Sequence, residues 1–139
     1  PHNLGRFLSA QADSYGTVIS ELCQGRKRSH WMWYIFPQYV GLGLSPASQC
    51  YAIKSMSEVG AYLSHPVLGP RLIECFEAVM RIERRSAREI FGAPDDLKLK
   101  SSATLFARAS APDSVFQRVL DKYFDGERDG HTLRLIASS

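Results

Sequence analysis

The sequence predicts an all-α protein: a single compact orthogonal bundle of about six to eight short helices spanning residues 1–139. Three observations predict it. Apolar residues recur at three- and four-residue spacings in almost every segment, the stripe of a helix with one buried face. Helix breakers fall roughly every 10 to 20 residues, which keeps the helices short and leaves no stretch that reads as an interdomain linker. Strand alternation, hairpin turns of the Asn-Gly type and internal repeats are absent from the sequence.

The first helix is expected from Leu4 to Cys23, where Leu4, Phe7, Leu8, Tyr15, Val18, Ile19 and Leu22 form the stripe and Gly25 supplies a left-handed stop. The run Trp31-Met32-Trp33-Tyr34-Ile35-Phe36 is apolar at nearly every position, so its periodicity decides nothing; its length suits a short buried turn or strand. Ser45-Pro46 reads as a cap followed by a first-turn proline, with a helix from Ala47 to Ile53. Another begins at Ser57 and ends before His65-Pro66. Pro70 to Ile82 carries Leu72, Ile73, Phe76, Val79 and Met80 on one broad face. Ser86 to Glu89 has the form of a capping box, and Gly92 closes that short helix. Pro94-Asp95-Asp96 opens a helix to about Ala107, Pro112 opens one through Phe124, and a last turn or two runs from Gly130 to Ile136.

At 139 residues the chain buries roughly 70% of the surface its unfolded form exposes, enough to fold without covalent staples. Apolar content of 45% and charged content of 22% are those of a globular protein rather than a disordered one. No apolar run approaches the ~20 residues that span a bilayer, and the chain opens with no basic-then-apolar signal pattern, so a cytosolic protein without membrane partners is expected. Cys23, Cys50 and Cys75 are odd in number and set among apolar residues, which predicts reduced core thiols. His2, His30, His65 and His131 form no i,i+4 pair and have no Cys-x-x-Cys companion, so neither a metal site nor a cofactor is expected.

The net charge of +3 falls short of a dedicated nucleic-acid binder, leaving any such role to a local patch. The segment Gly25 to Gln38 is the strongest candidate. Arg26, Lys27 and Arg28 supply cations for phosphates, Trp31 and Trp33 supply flat faces for a ring, and His30 and Gln38 stand within the same run. The plainer reading makes the tryptophans core anchors and the basic run a complement to the preceding helix dipole. Asp95 and Asp96 form the second candidate. They are most simply a cap and a dipole partner, and otherwise a general base or ribose acceptor, with Lys98, Ser102 and Thr104 as donors. Arg71, in the first turn of its helix, opposes the dipole there and calls for a partner, either a carboxylate such as Asp95 or Asp96 or a ligand anion.

Five blocks carry a family resemblance: Phe7 through Gln11, Gly25 through Gln38, His65 through Leu72, Phe91 through Phe106, and Tyr123 through Glu127. Across essentially its whole length the chain resembles a bacterial family of small proteins catalogued as domain of unknown function eighteen-ten. The resemblance implies a mainly helical fold and supplies no activity. The label calpastatin sometimes given to such proteins does not suit the chain, because a disordered inhibitor would lack this core. A looser similarity, in the aromatic block and the pattern from Phe106 to Leu135, is to the helical family that cleaves N-glycosidic bonds in ADP-ribose and riboflavin-pathway intermediates; no residue role is transferred on it.

The leading functional expectation is a site for a small phosphate-bearing ligand, a nucleotide or sugar-phosphate, with Arg26, Lys27, Arg28, Trp31, Trp33, Gln38, Arg71 and Lys98 binding. Were it an enzyme, hydrolysis or N-glycosidic cleavage with Asp95, Asp96 and His30 as catalytic groups fits best, since the sequence has no glycine-rich phosphate loop or nucleophile elbow. The two rivals are an RNA or single-strand binding module and a protein-interaction or structural domain. Oligomeric state is not legible.

Overall fold

The structure, a computed structural model, describes residues 2–139. Among the described residues ten helices follow one another: α1 Gly5–Gln11, α2 Tyr15–Cys23, α3 Met32–Ile35, α4 Pro46–Cys50, α5 Met56–Ser64, α6 Leu68–Arg81, α7 Ala87–Phe91, α8 Asp95–Arg108, α9 Val115–Phe124 and α10 Gly130–Ala137. Among the described residues there is no strand, only one isolated parallel bridge between Tyr39 and Ile53. The all-helical expectation is met, with more and shorter helices than the six to eight expected. Among the described residues no helix is long and apolar enough to cross a membrane.

The extra helices have local causes. The stripe from Leu4 to Cys23 breaks at Ala12–Ser14, where the Ser14 hydroxyl donates to the Ala10 carbonyl at 2.9 Å, a competition with helix geometry typical of serine. Gln11 is drawn inward at the break and donates to the Tyr34 carbonyl at 2.8 Å. The aromatic run resolves into a single helical turn. Ser45 and Ser86 cap as expected, the latter with its full capping box. Ser55 and Ser114 cap α5 and α9, where Ser57 and Pro112 had been the expected starts. α4 stops at Cys50 instead of Ile53, because Ile53 turns away to donate its amide to the Gln38 carbonyl at 2.9 Å. α6 begins at Leu68, two residues before Pro70, with the His65 imidazole accepting from the Val67 and Leu68 amides. Gly69 is required there: a Cβ would come within 2.2 Å of the Leu63 carbonyl oxygen.

The core is strung on aromatic rings. Phe7 meets Tyr62 edge-on at 5.0 Å, Tyr62 meets Phe106, Phe106 meets Phe116, and Phe116 meets Phe76 at 5.0 Å. Phe76 then meets Phe36 at 4.9 Å, and Phe36 meets Trp31. The edge-to-face pairs among them, Phe7–Tyr62, Phe116–Phe76 and Phe76–Phe36, add about 0.5–1.5 kcal/mol each beyond their buried area. Cys75 is buried in this core, and burial pushes its thiol up to about 12. Cys23 and Cys50 are exposed, which corrects the expectation of three core thiols. Cys23 lies one residue, hence about 100° of helix turn, past buried Leu22, and α4, which ends at Cys50, buries none of its residues.

Two charged side chains act as staples. Arg6 spends all five of its donors: Nε on the Cys50 carbonyl, Nη1 on the His2 and Asn3 carbonyls, Nη2 on the Ala52 carbonyl and on Glu58 at 2.8 Å. Glu58 is only 3% exposed. Glu21, in the last turn of α2, is 7% exposed and gathers the loop that follows. Its Oε1 accepts from the Arg28 and Ser29 amides and from Trp31 Nε1 at 2.9 Å, and its Oε2 accepts from the Ser29 hydroxyl at 2.6 Å. Burial alone would raise its pKa; the bonds from Ser29, Arg28 and Trp31 outweigh it and hold the carboxyl down at about 2.

Two stability predictions arise. Arg6→Ala strands Glu58 without its counter-charge and should cost about 3 kcal/mol in urea unfolding, with part restored by adding Glu58→Gln; a loss under about 1 kcal/mol would contradict the staple. Because the Glu21 pKa is lower folded than unfolded, its contribution is complete above the ordinary carboxyl range and disappears as pH falls towards 2. Glu21→Gln should therefore lower stability at pH 7 by on the order of 2 kcal/mol and flatten the loss of melting temperature between about pH 5 and pH 2.

Candidate functional site

Gly25, at φ 78°, ends α2 and starts an extended segment that runs beside α7, where the Lys27 amide donates to the Ile90 carbonyl at 2.8 Å. Extended backbone alternates its side chains. Arg26, Arg28 and His30 consequently point to solvent, while the Lys27 side chain turns inward and is 8% exposed. There its ammonium lies 3.0 Å from Asp95 Oδ2 and over the Trp31 ring, 5.2 Å from the centroid. Asp95 begins α8, and Lys98, one turn on, brings its own ammonium to 3.3 Å from Asp95 Oδ1 and over the Trp33 ring at 5.1 Å. Each ammonium thus meets both a carboxylate oxygen and an indole face, the latter worth about 0.5–2 kcal/mol according to solvation.

Five of the eleven residues singled out from the sequence therefore converge: Lys27, Trp31, Trp33, Asp95 and Lys98. Trp31 is a core residue at 1% exposure, whereas Trp33 is only partly buried and keeps surface available. Asp96 adjoins the cluster in sequence; its Oδ1 is buried with no hydrogen-bond partner. Arg26, Arg28 and His30 are exposed, on the opposite side of the loop from the Lys27 side chain.

The other two candidates are held elsewhere. Gln38 gives its carbonyl to Ile53 at the isolated bridge. Arg71 has neither Asp95 nor Asp96 as a partner. It donates to Gln11 Oε1 at 3.3 Å and stacks on Tyr15 at 4.6 Å, because the start of α6 faces α1 and α2. Tyr15 in turn donates to Glu74, and burial followed by that carboxylate raises its hydroxyl pKa. The hydroxyls of α8 are also accounted for differently. Thr104 Oγ1 donates to the Lys100 carbonyl and accepts from the Asp129 amide at 2.8 Å, and Ser101 donates to Asp129, so these groups dock α10. Ser102 is fully buried with its hydroxyl unpartnered.

None of the eleven residues lines any of three surface clefts. One of about 420 Å³ lies among His2, Asn3, Arg6, Cys50, Lys54 and Glu58. A shallow hollow of about 700 Å³ continues past Gln49, Cys50 and Lys54 to Gly43 and Leu44, and a small one of about 150 Å³ lies between Cys23 and Arg81. The Lys27–Asp95–Lys98 cluster lies outside these three clefts.

Sequence reading missed Glu21, which holds the whole loop in place. Its signal was present: an acid three residues after Val18 and adjacent to Leu22, on the face that both bury.

No curated protein was found similar to this chain. Among solved structures it is similar to the crystal structure of the conserved hypothetical protein Rv1873 from Mycobacterium tuberculosis, at 52% identity and a TM-score of 0.97, over 100% of this chain and 99% of that one. Residues 1–136 match the family described as "Protein of unknown function (DUF1810)". The chain belongs to the DUF1810 family.

Proposed function

We propose that the cluster of Lys27, Trp33, Asp95 and Lys98 binds a small phosphate-bearing ligand that carries a ring, of the nucleotide class. One observation carries the reading: two ammonium groups share a single carboxylate beside a partly exposed indole. Two positive charges against one negative leave the cluster net positive, and a ligand phosphate can join Lys98 without displacing Lys27 from Asp95. The indole face of Trp33 gives the base or another flat ring a stacking surface.

Within this reading Asp96, not Asp95, is the carboxylate free for proton transfer. Both oxygens of Asp95 are taken by ammonium groups, while Asp96 Oδ1 has no partner. A hydrolytic or N-glycosidic reaction would use Asp96, through the oxygen other than buried Oδ1, as the base that activates water.

Thermal unfolding against nucleotides, ADP-ribose and sugar phosphates tests the binding. A ligand at 100 times its Kd adds about 2.7 kcal/mol, several degrees for a domain of this size. Lys98→Ala and Trp33→Ala should each abolish that rise while leaving the unliganded melting temperature within a few degrees, and a rise that survives both substitutions would refute the site. Asp96→Asn should keep the rise and eliminate any ligand turnover detected by chromatography; turnover undiminished in that variant would exclude Asp96 as the base.

A further inference from the structure

We propose that six arginines from two segments far apart in sequence form a surface that binds the phosphate backbone of a nucleic acid strand. The first segment is the extended Arg26–Arg28 run, and the second is Arg81 through Arg88, from the end of α6 into α7. The fold lays them side by side. Arg85 Nη1 donates to the Gly25 carbonyl at 3.2 Å, Gly25 packs against Ile82 and Arg85, and the Lys27 amide meets the Ile90 carbonyl.

Arg26, Arg28, Arg81, Arg84, Arg85 and Arg88 are all exposed, and among the described residues none of them forms an ion pair. The six exposed arginines stand against Glu83 and Glu89, a net of +4, whereas the whole chain carries +3. The rest of the molecule is therefore slightly negative. Glu89 is tied down as well, since its carboxylate accepts the Ser86 amide at 2.8 Å. Arg84 holds φ 63°, a left-handed conformation that glycine or asparagine adopts more easily, and its side chain makes no hydrogen bond that compensates.

The chemistry selects the partner. The exposed cations are all guanidinium groups, whose planar fork matches a phosphate bidentately. A membrane surface would need apolar side chains to insert, and the exposed large apolar residues Val40, Leu44, Val67, Ile73 and Leu97 all lie outside the two segments. Several phosphates in a row, as in a nucleic acid strand, are what a patch of this charge can engage at once. The inference uses Arg84, Arg85 and Arg88, which the Trp33 site does not, and it stands whether or not that site binds a nucleotide.

Fluorescence anisotropy with a labelled 20-nucleotide single-stranded RNA of mixed sequence tests it. Engagement of about five phosphates gives a log–log salt slope near −3.5, so affinity should fall roughly 100-fold between 50 and 200 mM salt. Arg26→Gln/Arg84→Gly/Arg88→Gln should weaken binding at least ~10-fold at 50 mM and flatten the slope by about 2, since three contacts are removed. Arg108→Gln, at the far end of α8, is the control for net charge and should bind as the unmodified protein does. Arg84→Gly alone should melt no lower than the parent, which separates loss of binding from loss of fold. The proposal is overturned by absent saturable binding at 50 mM salt, by a triple variant that binds undiminished, by an equal loss in Arg108→Gln, or by tighter binding to phosphatidylserine vesicles than to the RNA.

Discussion

The carboxylate of Glu21 is buried at the end of α2, and a buried carboxylate has to be supplied with donors or neutralised. The chain supplies them from the residues that come next: two consecutive amides, one hydroxyl and one indole N–H, all between Arg28 and Trp31. Much else depends on this arrangement. It fixes the course of the loop after Gly25, commits the Trp31 ring to the core against Phe36 and Phe91, and sets the alternation that turns Lys27 inward and Arg26 and Arg28 outward. Both the Lys27–Asp95–Lys98 cluster and the arginine surface are consequences of where that loop runs.

The same logic recurs at each end of the molecule. Arg6 gathers four carbonyls and Glu58 where the N-terminal segment meets α4 and α5, and Asp129 gathers Ser101 and Thr132 where α10 meets α8. Between these polar staples lies the string of aromatic rings from Phe7 to Trp31. Short helices bury little area each, and α3, α4 and α7 have at most five residues. Staples that join segments far apart in sequence supply the specificity that long helix contacts would otherwise provide.

Both proposed sites lie at one corner. The extended loop, the start of α8 and the segment from Arg81 to Arg88 come together there, and the modest overall charge of +3 conceals a strong local one. The clefts beside Arg6 and Leu44 lie elsewhere, and at the first of them the Arg6 guanidinium is already spent within the fold. The proposed binding therefore rests on charge and exposed aromatic surface rather than on cavity volume.

The sequence by itself determined the helical class, several helix ends and much of the core, because caps, breakers and apolar spacing act within a few residues of one another. Ser45, Ser86 and Gly92 announce their roles in three or four letters. It also marked the basic and aromatic block and the aspartate pair as the places to look. What only the tertiary structure decided was which of these residues meet. Lys27 reaches Asp95 across 68 positions of chain, Arg71 turns to Gln11 and Tyr15 instead of to either aspartate, and Arg85 arrives beside Gly25. Those pairings follow from how ten short helices share one core, a collective packing outcome that no local pattern encodes.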